Sequence, residues 1–346
     1  MKKRFLLISC IAAASLSLSS VSAQTDSAAV EPPPFDFSQF AGDAVEVTEG
    51  SKKEYCSSKI FGLSPAKLIS LGYDYQTDYK IENDFNKKSV NTHSTKGLRF
   101  LANFPVISRN DIIVNVGTTY METHYGITAD GGNLNGLTST LKENSLRSMG
   151  VNFTVFKPLN KVNFLLFNTS HDLNGDYKLS KLQPMKYMKH SVLGVYGWKK
   201  HDRLQMGVGV SRTYRGGRVL HIPIIMYNYT APNRKWGIES VFPARVSYRR
   251  SFSPRSILLA GYELEGASYR LGGYEKTLPD IELRRSELRF KLAYEFSVHQ
   301  FIWLSAQAGL RANYRFNVDD GDKKDIIKNT LESSPFFNLS LNLVSP

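Results

Sequence analysis

Arg285, Glu287, Arg289, Lys291 and Glu295 fall on alternate positions of one short stretch, with Leu288, Phe290, Leu292, Tyr294 and Phe296 between them. Successive side chains of an extended chain point to opposite faces, so this spacing gathers the charges on one face and the apolar groups on the other. Glu263 and Glu265 on one flanking stretch and Arg311 and Arg315 on the other extend the charged set. Two kinds of chemistry fit such a face. It can line a water-filled constriction that selects solutes by sign, or it can close on itself as a ladder of ion pairs and hydrogen bonds filling a narrow barrel.

Catalytic chemistry has little to stand on. Ser170-His171-Asp172 is the nearest grouping to a triad, but adjacent strand positions alternate faces, so His171 points away from both neighbours and cannot take the Ser170 proton. No catalytic residue is assigned, and the chain is read as a non-enzyme. His93 and His124 fall in or beside long loops, His201 and His299 in short turns, and His221 on a strand with Pro223, where strand-end packing explains it. No HExxH run, glycine-rich phosphate loop or paired metal-ligand motif occurs, so neither a metal nor a cofactor is expected.

The elements that must carry these faces follow from the same two-residue period. Its clearest instance sets Ile302, Leu304, Ala306, Ala308, Leu310, Ala312, Tyr314 and Phe316 against Trp303, Ser305, Gln307, Gly309, Arg311, Asn313 and Arg315. Hydrocarbon on one side and a wet lumen on the other write this pattern in a transmembrane barrel. Strands are expected near 67–80, 96–107, 110–125, 144–157, 161–172, 187–199, 202–214, 218–229, 235–242, 244–250, 255–270, 284–298, 300–316 and 336–345. Connections alternate between short, as at Ser108-Arg109-Asn110 and Leu159-Asn160-Lys161, and long, near 83–95, 126–143, 173–186, 271–283 and 317–335. The expectation is an all-β, antiparallel, up-and-down barrel with short periplasmic turns and long extracellular loops.

The strand count turns on residues 235–250. Short turns flank this stretch on both sides, so an even number of crossings must lie between them, and splitting it at Phe242-Pro243 gives fourteen strands, with twelve as the alternative. Each arm of that hairpin is shorter than the roughly nine to eleven residues a tilted membrane strand needs, and Pro223 on the preceding strand removes a ladder donor. Pro223, Phe242 and Pro243 therefore mark either a lateral opening in the wall or a notch covered by a loop. Trp198, Trp236 and Trp303, each near a short turn, are assigned to a periplasmic aromatic girdle. Tyr75, Tyr79, Tyr120, Tyr125, Tyr214, Tyr269 and Tyr314 are assigned to the opposite one.

Residues 1–23 read as a signal peptide: Lys2, Lys3 and Arg4, an apolar stretch from Phe5 to Leu16, then Val21-Ser22-Ala23. Cys10 after Leu7-Ile8-Ser9 suggests a lipoprotein acceptor, but the apolar region continues past it. Residues 24–63, with Glu31-Pro32-Pro33-Pro34, form a periplasmic tail or a plug, and 64–346 form the barrel. Cleavage leaves Cys56 as the single cysteine, which excludes an intramolecular disulfide. The formal charge of +13 falls to +10 without the signal cations. The basic residues are dispersed, which argues against nucleic acid and for anionic headgroups or solutes. Partners are thus outer-membrane lipid and lipopolysaccharide, the outer-membrane insertion machinery and an unknown small solute, in the outer membrane of a Gram-negative cell.

Val219-Leu220-His221-Ile222-Pro223-Ile224, Tyr227 to Tyr229, Pro232-Asn233-Arg234-Lys235-Trp236, Phe242-Pro243-Ala244-Arg245-Val246-Ser247-Tyr248-Arg249 and Tyr262-Glu263-Leu264-Glu265 resemble a family of uncharacterised bacterial outer-membrane β-barrel proteins, of Bacteroidota type. The resemblance implies a transmembrane barrel and no activity. The chain departs from many outer-membrane proteins in ending on Pro346 rather than an aromatic residue. On these grounds the expected function is a channel or transporter for small or hydrophobic solutes. The alternatives are a closed barrel acting as surface scaffold or adhesin, and a lipid-modifying enzyme.

Overall fold

A computed structural model describes residues 54–84, 87–128, 136–181, 184–214, 219–272, 281–320 and 325–345. Its sheet closes on itself with fourteen antiparallel wall strands. The first, β1, is two segments in line, Lys67–Gln76 and Tyr79–Asn83. There follow β2 (Ser89–Arg109), β3 (Ile112–Ile127), β4 (Leu146–Pro158), β5 (Asn163–Gly175), β6 (Met188–His201) and β7 (Leu204–Thr213). The circuit continues with β8 (Leu220–Thr230), β9 (Trp236–Phe242), β10 (Arg245–Ser253), β11 (Ser256–Arg270), β12 (Glu282–His299) and β13 (Ile302–Asp319). The last, β14, is again two segments, Asp325–Leu331 and Ser334–Val344, and closes the ring on both segments of β1.

The outer face is apolar where the alternation placed it. Leu71, Tyr73, Phe153, Phe167, Val208, Val210, Ile225, Leu292, Leu310 and Leu341 are exposed around the barrel. A continuous apolar surface of this kind is stable only against lipid. Trp198 shares the outer face with Tyr196, and Trp236 packs between Tyr229 and Tyr248 with ring centroids 5.5 and 6.2 Å apart. Trp303 does not join this girdle. It points inward, 5% exposed, against Ile257 and Val344, because it lies on the same face as Ser305 and Arg311.

The opposite, long-loop end is filled. Strands β1, β2, β13 and β14 continue further there than the alternation suggested, and their ends turn Tyr79, Ile81, Val90, Phe316, Val318 and Leu331 into a common core. A short helix, α1 (Gly136–Glu143), lies in the loop between β3 and β4 and adds Leu137 and Leu141, four residues apart and so on one face. Tyr125 and Tyr269 are in this core too, so with Tyr79 they are lost from the expected outer girdle.

Phe316 was expected to face outward. A bulge reverses the phase: Arg315 pairs with Ser286 but Asn313 pairs with Glu287, leaving Tyr314 as the extra residue, 76% exposed. One extra residue moves every later side chain to the other face. Phe316 therefore enters the core, and Arg315 leaves the lumen-facing set.

The tops of β11 and β12 cross the mouth. Arg270 pairs with Gly175 at the end of β5, the Asp176 amide donates to the Arg270 carbonyl at 3.2 Å, and Lys189 on β6 is ion-paired with Glu282. At the short-turn end, residues 54–66 form a strap. The Cys56 amide donates to the Asn160 carbonyl at 2.9 Å, the Phe61 amide to Asp202 at 2.9 Å, and the Ser64 amide and hydroxyl both to Glu239, each at 2.9 Å. The strap thus joins the β4–β5 turn, the β6–β7 turn and β9 before the chain enters β1.

Candidate functional site

The barrel encloses a cavity of about 1000 Å³, running from Ser58 and Leu63 of the strap to Lys189 and Tyr214 beneath the crossed strands. Its two walls differ in chemistry. The wall made by β1, β2 and β10–β14 carries the charges, because there the inward positions alternate as Arg285, Glu287, Arg289, Lys291 and Glu295. Arg285 donates to both Glu287 oxygens at 3.1 Å, and Arg311 is ion-paired with the same carboxylate. Glu265 accepts from Arg289 at 2.8 Å and from Arg99 at 2.8 and 2.9 Å. Asp74 holds Arg99, accepts from Arg289 at 3.3 Å and takes the Asn338 amide at 2.8 Å. Lys291 meets Glu263 at 2.5 Å, and Lys67 meets Glu295 at 2.8 Å.

Eight of the nine lumen charges expected from sequence thus come together, and they are spent on one another. Glu287 is fully buried and Arg285 is 3% exposed, so this part of the set is a closed ladder beneath the loop-end core rather than an open ring of charge. Lys67, Asp74, Gln76 and Arg99 complete it; alternation places Asp74 and Gln76 on the inward face of β1 but does not assign any of the four to the charged set. A register between first and last strands is needed to join Gln76 to Arg311, whereas Asp74 meets Arg99 on the neighbouring β2 as well as Asn338 across the closure.

The facing wall mixes polar groups, such as Asn115, Asn152, Asn174 and Gln205, with one apolar stripe. Phe156, Phe164, Val195, Met226, Ile224 and Cys56 pack together, with Ile113, Leu166, Leu193, Ile222 and Val241 against them. These come from β3 to β9 and from the strap, and they make a stripe from the strap upward to the β9 tip. Burial in this cluster pushes the Cys56 thiol up from its ordinary value.

At the head of the stripe the wall is low. β9 pairs with β8 only as far as Phe242 opposite Ile225, so Leu220–Ile224, including Pro223, have a partner on the β7 side alone among the described residues. β10 pairs with β11 from Arg245 opposite Glu263 downward, and the Leu264 amide caps it on the Ala244 carbonyl at 2.8 Å. Above the Phe242-Pro243 tip lies a notch, bounded by upper β8 and upper β11, with cavity-lining Val241 and Leu264 at its floor. The crossing of β11 toward β5 draws the far edge inward.

Ser170 and Asp172 face the lumen and bond to each other at 3.0 Å, whereas His171 lies on the outer face. The three do not share a site.

A family model matches residues 65–344, that of DUF6268, a domain of unknown function. The chain belongs to the DUF6268 family. The DUF6268 barrel is also similar to the COG4313 outer membrane channel from Pseudomonas putida F1, with 11% identity over 87% of this chain and 100% of that one and a TM-score of 0.38. The toluene transporter TodX of Pseudomonas putida aligns with 11% identity over 84% and 95% of the two chains, TM-score 0.35. The outer membrane protease OmpT from Escherichia coli aligns at 6% identity over 82% and 98%, TM-score 0.28. No curated protein matches by sequence.

Proposed function

We propose that this DUF6268 protein is an outer-membrane channel through which small apolar solutes pass between the outer leaflet and the lumen by way of the notch beside Phe242-Pro243. The observation that carries this is the coincidence of two features in one sector. The apolar stripe inside the barrel leads to the place where the wall loses its ladder. A solute that prefers hydrocarbon can follow this stripe past the polar groups beside it, whereas the opposite wall is dominated by charges already paired. The protein sits in lipid and lipopolysaccharide, delivered by a signal peptide and the insertion machinery. Residues 24–63 act as a periplasmic lead-in whose last part, the strap, narrows the inner mouth.

Val241→Trp and Ile222→Trp, at the head of the stripe, test this. Liposomes carrying either variant should take up an apolar fluorescent probe such as N-phenyl-1-naphthylamine several-fold more slowly than wild type. Uptake equal to wild type by folded variants would overturn the lateral route. Pro223→Val should leave uptake unchanged, because among the described residues no strand pairs with upper β8 on the β9 side, so a valine there cannot close the notch.

A further inference from the structure

His171 on β5 and His190 on β6 are direct cross-strand partners. Their flanking residues Asp172, Lys189 and Ser191 line the cavity, so both imidazoles stand on the outer face, near the loop end. Their Nδ1 atoms lie 2.7 Å apart and their rings meet edge to face, with centroids 4.9 Å apart. Val151 and Val192, the exposed neighbours across and along the ladder, contribute no polar group, and the next outward side chain on β7 is the exposed Arg212, opposite Val192. The outer face therefore carries a pair of nitrogen ligands at the level where its apolar band gives way to polar residues, and nothing in the lumen chemistry requires it.

We propose that His171 and His190 form a surface site for one divalent transition-metal ion, with Cu²⁺ bound most tightly and Ni²⁺ next. A nitrogen separation of 2.7 Å means that one Nδ1–H donates to the lone pair of the other. Moving that proton to Nε2 of the same ring frees both Nδ1 lone pairs without loss of a proton, and a metal ion replaces the hydrogen bond. With metal–nitrogen distances of about 2.0–2.1 Å, two adjacent corners of a square-planar centre stand about 2.9 Å apart. The nitrogen separation needs to grow by only a few tenths of an ångström, and each ring must turn until its Nδ1 lone pair points about 45° off the line between the nitrogens. Tetrahedral corners lie further apart, at about 3.3 Å, so Zn²⁺ fits less well. Imidazole suits Cu²⁺ and Ni²⁺, and the general affinity order places Cu²⁺ first. The paired strands hold both rings in place, which removes much of the ordering cost of chelation. Among the described residues no group of three or more His, Cys, Asp or Glu side chains gathers, so the remaining corners belong to water or headgroup oxygens.

The test uses the full, untagged chain in detergent micelles, titrated with Cu²⁺ and read by electron paramagnetic resonance. The expected result is one ion per barrel with hyperfine coupling to two imidazole nitrogens. Loss of an outer-shell partner costs a metal site about 10–100-fold, so loss of a ligand in His171→Gln or His190→Gln should weaken binding by at least about tenfold. His221→Gln, on a different strand pair, should bind like wild type. Equal binding by wild type and the His190→Gln variant would overturn the proposal. If either variant fails to fold, the wild-type spectrum still decides, because fewer than two coordinated imidazoles is equally fatal.

Discussion

Glu287 shows what the charged face does at the level of one side chain. It is fully buried, accepts two bonds from Arg285 and pairs with Arg311; beyond it Arg285 has Glu265 at 3.9 Å and Thr123 at 3.5 Å, and Arg311 has the neutral Gln76. Breaking a buried pair from one side leaves uncompensated charge and costs about 3–5 kcal/mol. Glu287→Gln should therefore lower the urea midpoint of unfolding in micelles markedly. Glu263→Gln removes the partner of Lys291 at a much more accessible point and should cost only about 0–1 kcal/mol. Similar losses for both would mean that the ladder does not act as a buried unit. The ladder was legible because β12 keeps strict alternation. Arg315 was not, since Ala312, Tyr314 and Phe316 are all apolar and the bulge at Tyr314 leaves no mark on the pattern.

The elements were legible to the extent that membrane contact shaped them. Every wall strand was visible, and the split at Phe242-Pro243 fixed the count, because lipid outside and water inside impose the period. Where the barrel rises beyond the lipid into its own core, that constraint ends. The upper segments of β1 and β14 and the helix α1 then read as loop, although Leu137 and Leu141 seal the mouth. The strap was equally hidden, since its bonds run mostly from backbone to distant turns. Cys56 reports on it. The thiol is 5% exposed among Phe156 and Phe164, and burial raises its pKa, which favours the neutral thiol over the reactive thiolate. Labelling of the folded protein by a thiol reagent at neutral pH should be far slower than labelling of the urea-unfolded chain. Raising the pH should speed the folded reaction, but only at values above those at which a free cysteine already reacts fully. Rapid labelling of folded protein at neutral pH would show that the strap leaves the mouth.

At the scale of the whole barrel, direction follows from the difference between its two ends. One end carries two- to five-residue turns with Trp198 and Trp236 beside them. The other carries the loops, α1 and the crossing of β11 over to β5. A chain inserted from the periplasm drags its connections across the membrane, so the short turns stay behind and the loops face out. Met185, 85% exposed in the loop between β5 and β6, and the exposed Lys200, at the short-turn end of β6, sample the two ends of one strand. In a Cys56→Ser background, Met185→Cys should react in intact cells with a reagent that cannot cross the outer membrane, and Lys200→Cys should react only after lysis. The reverse pattern would turn the barrel over. It would also place the notch at the inner leaflet, because Phe242-Pro243 lies toward the same end as Met185. A solute would then leave the lumen into phospholipid rather than enter it from the cell surface.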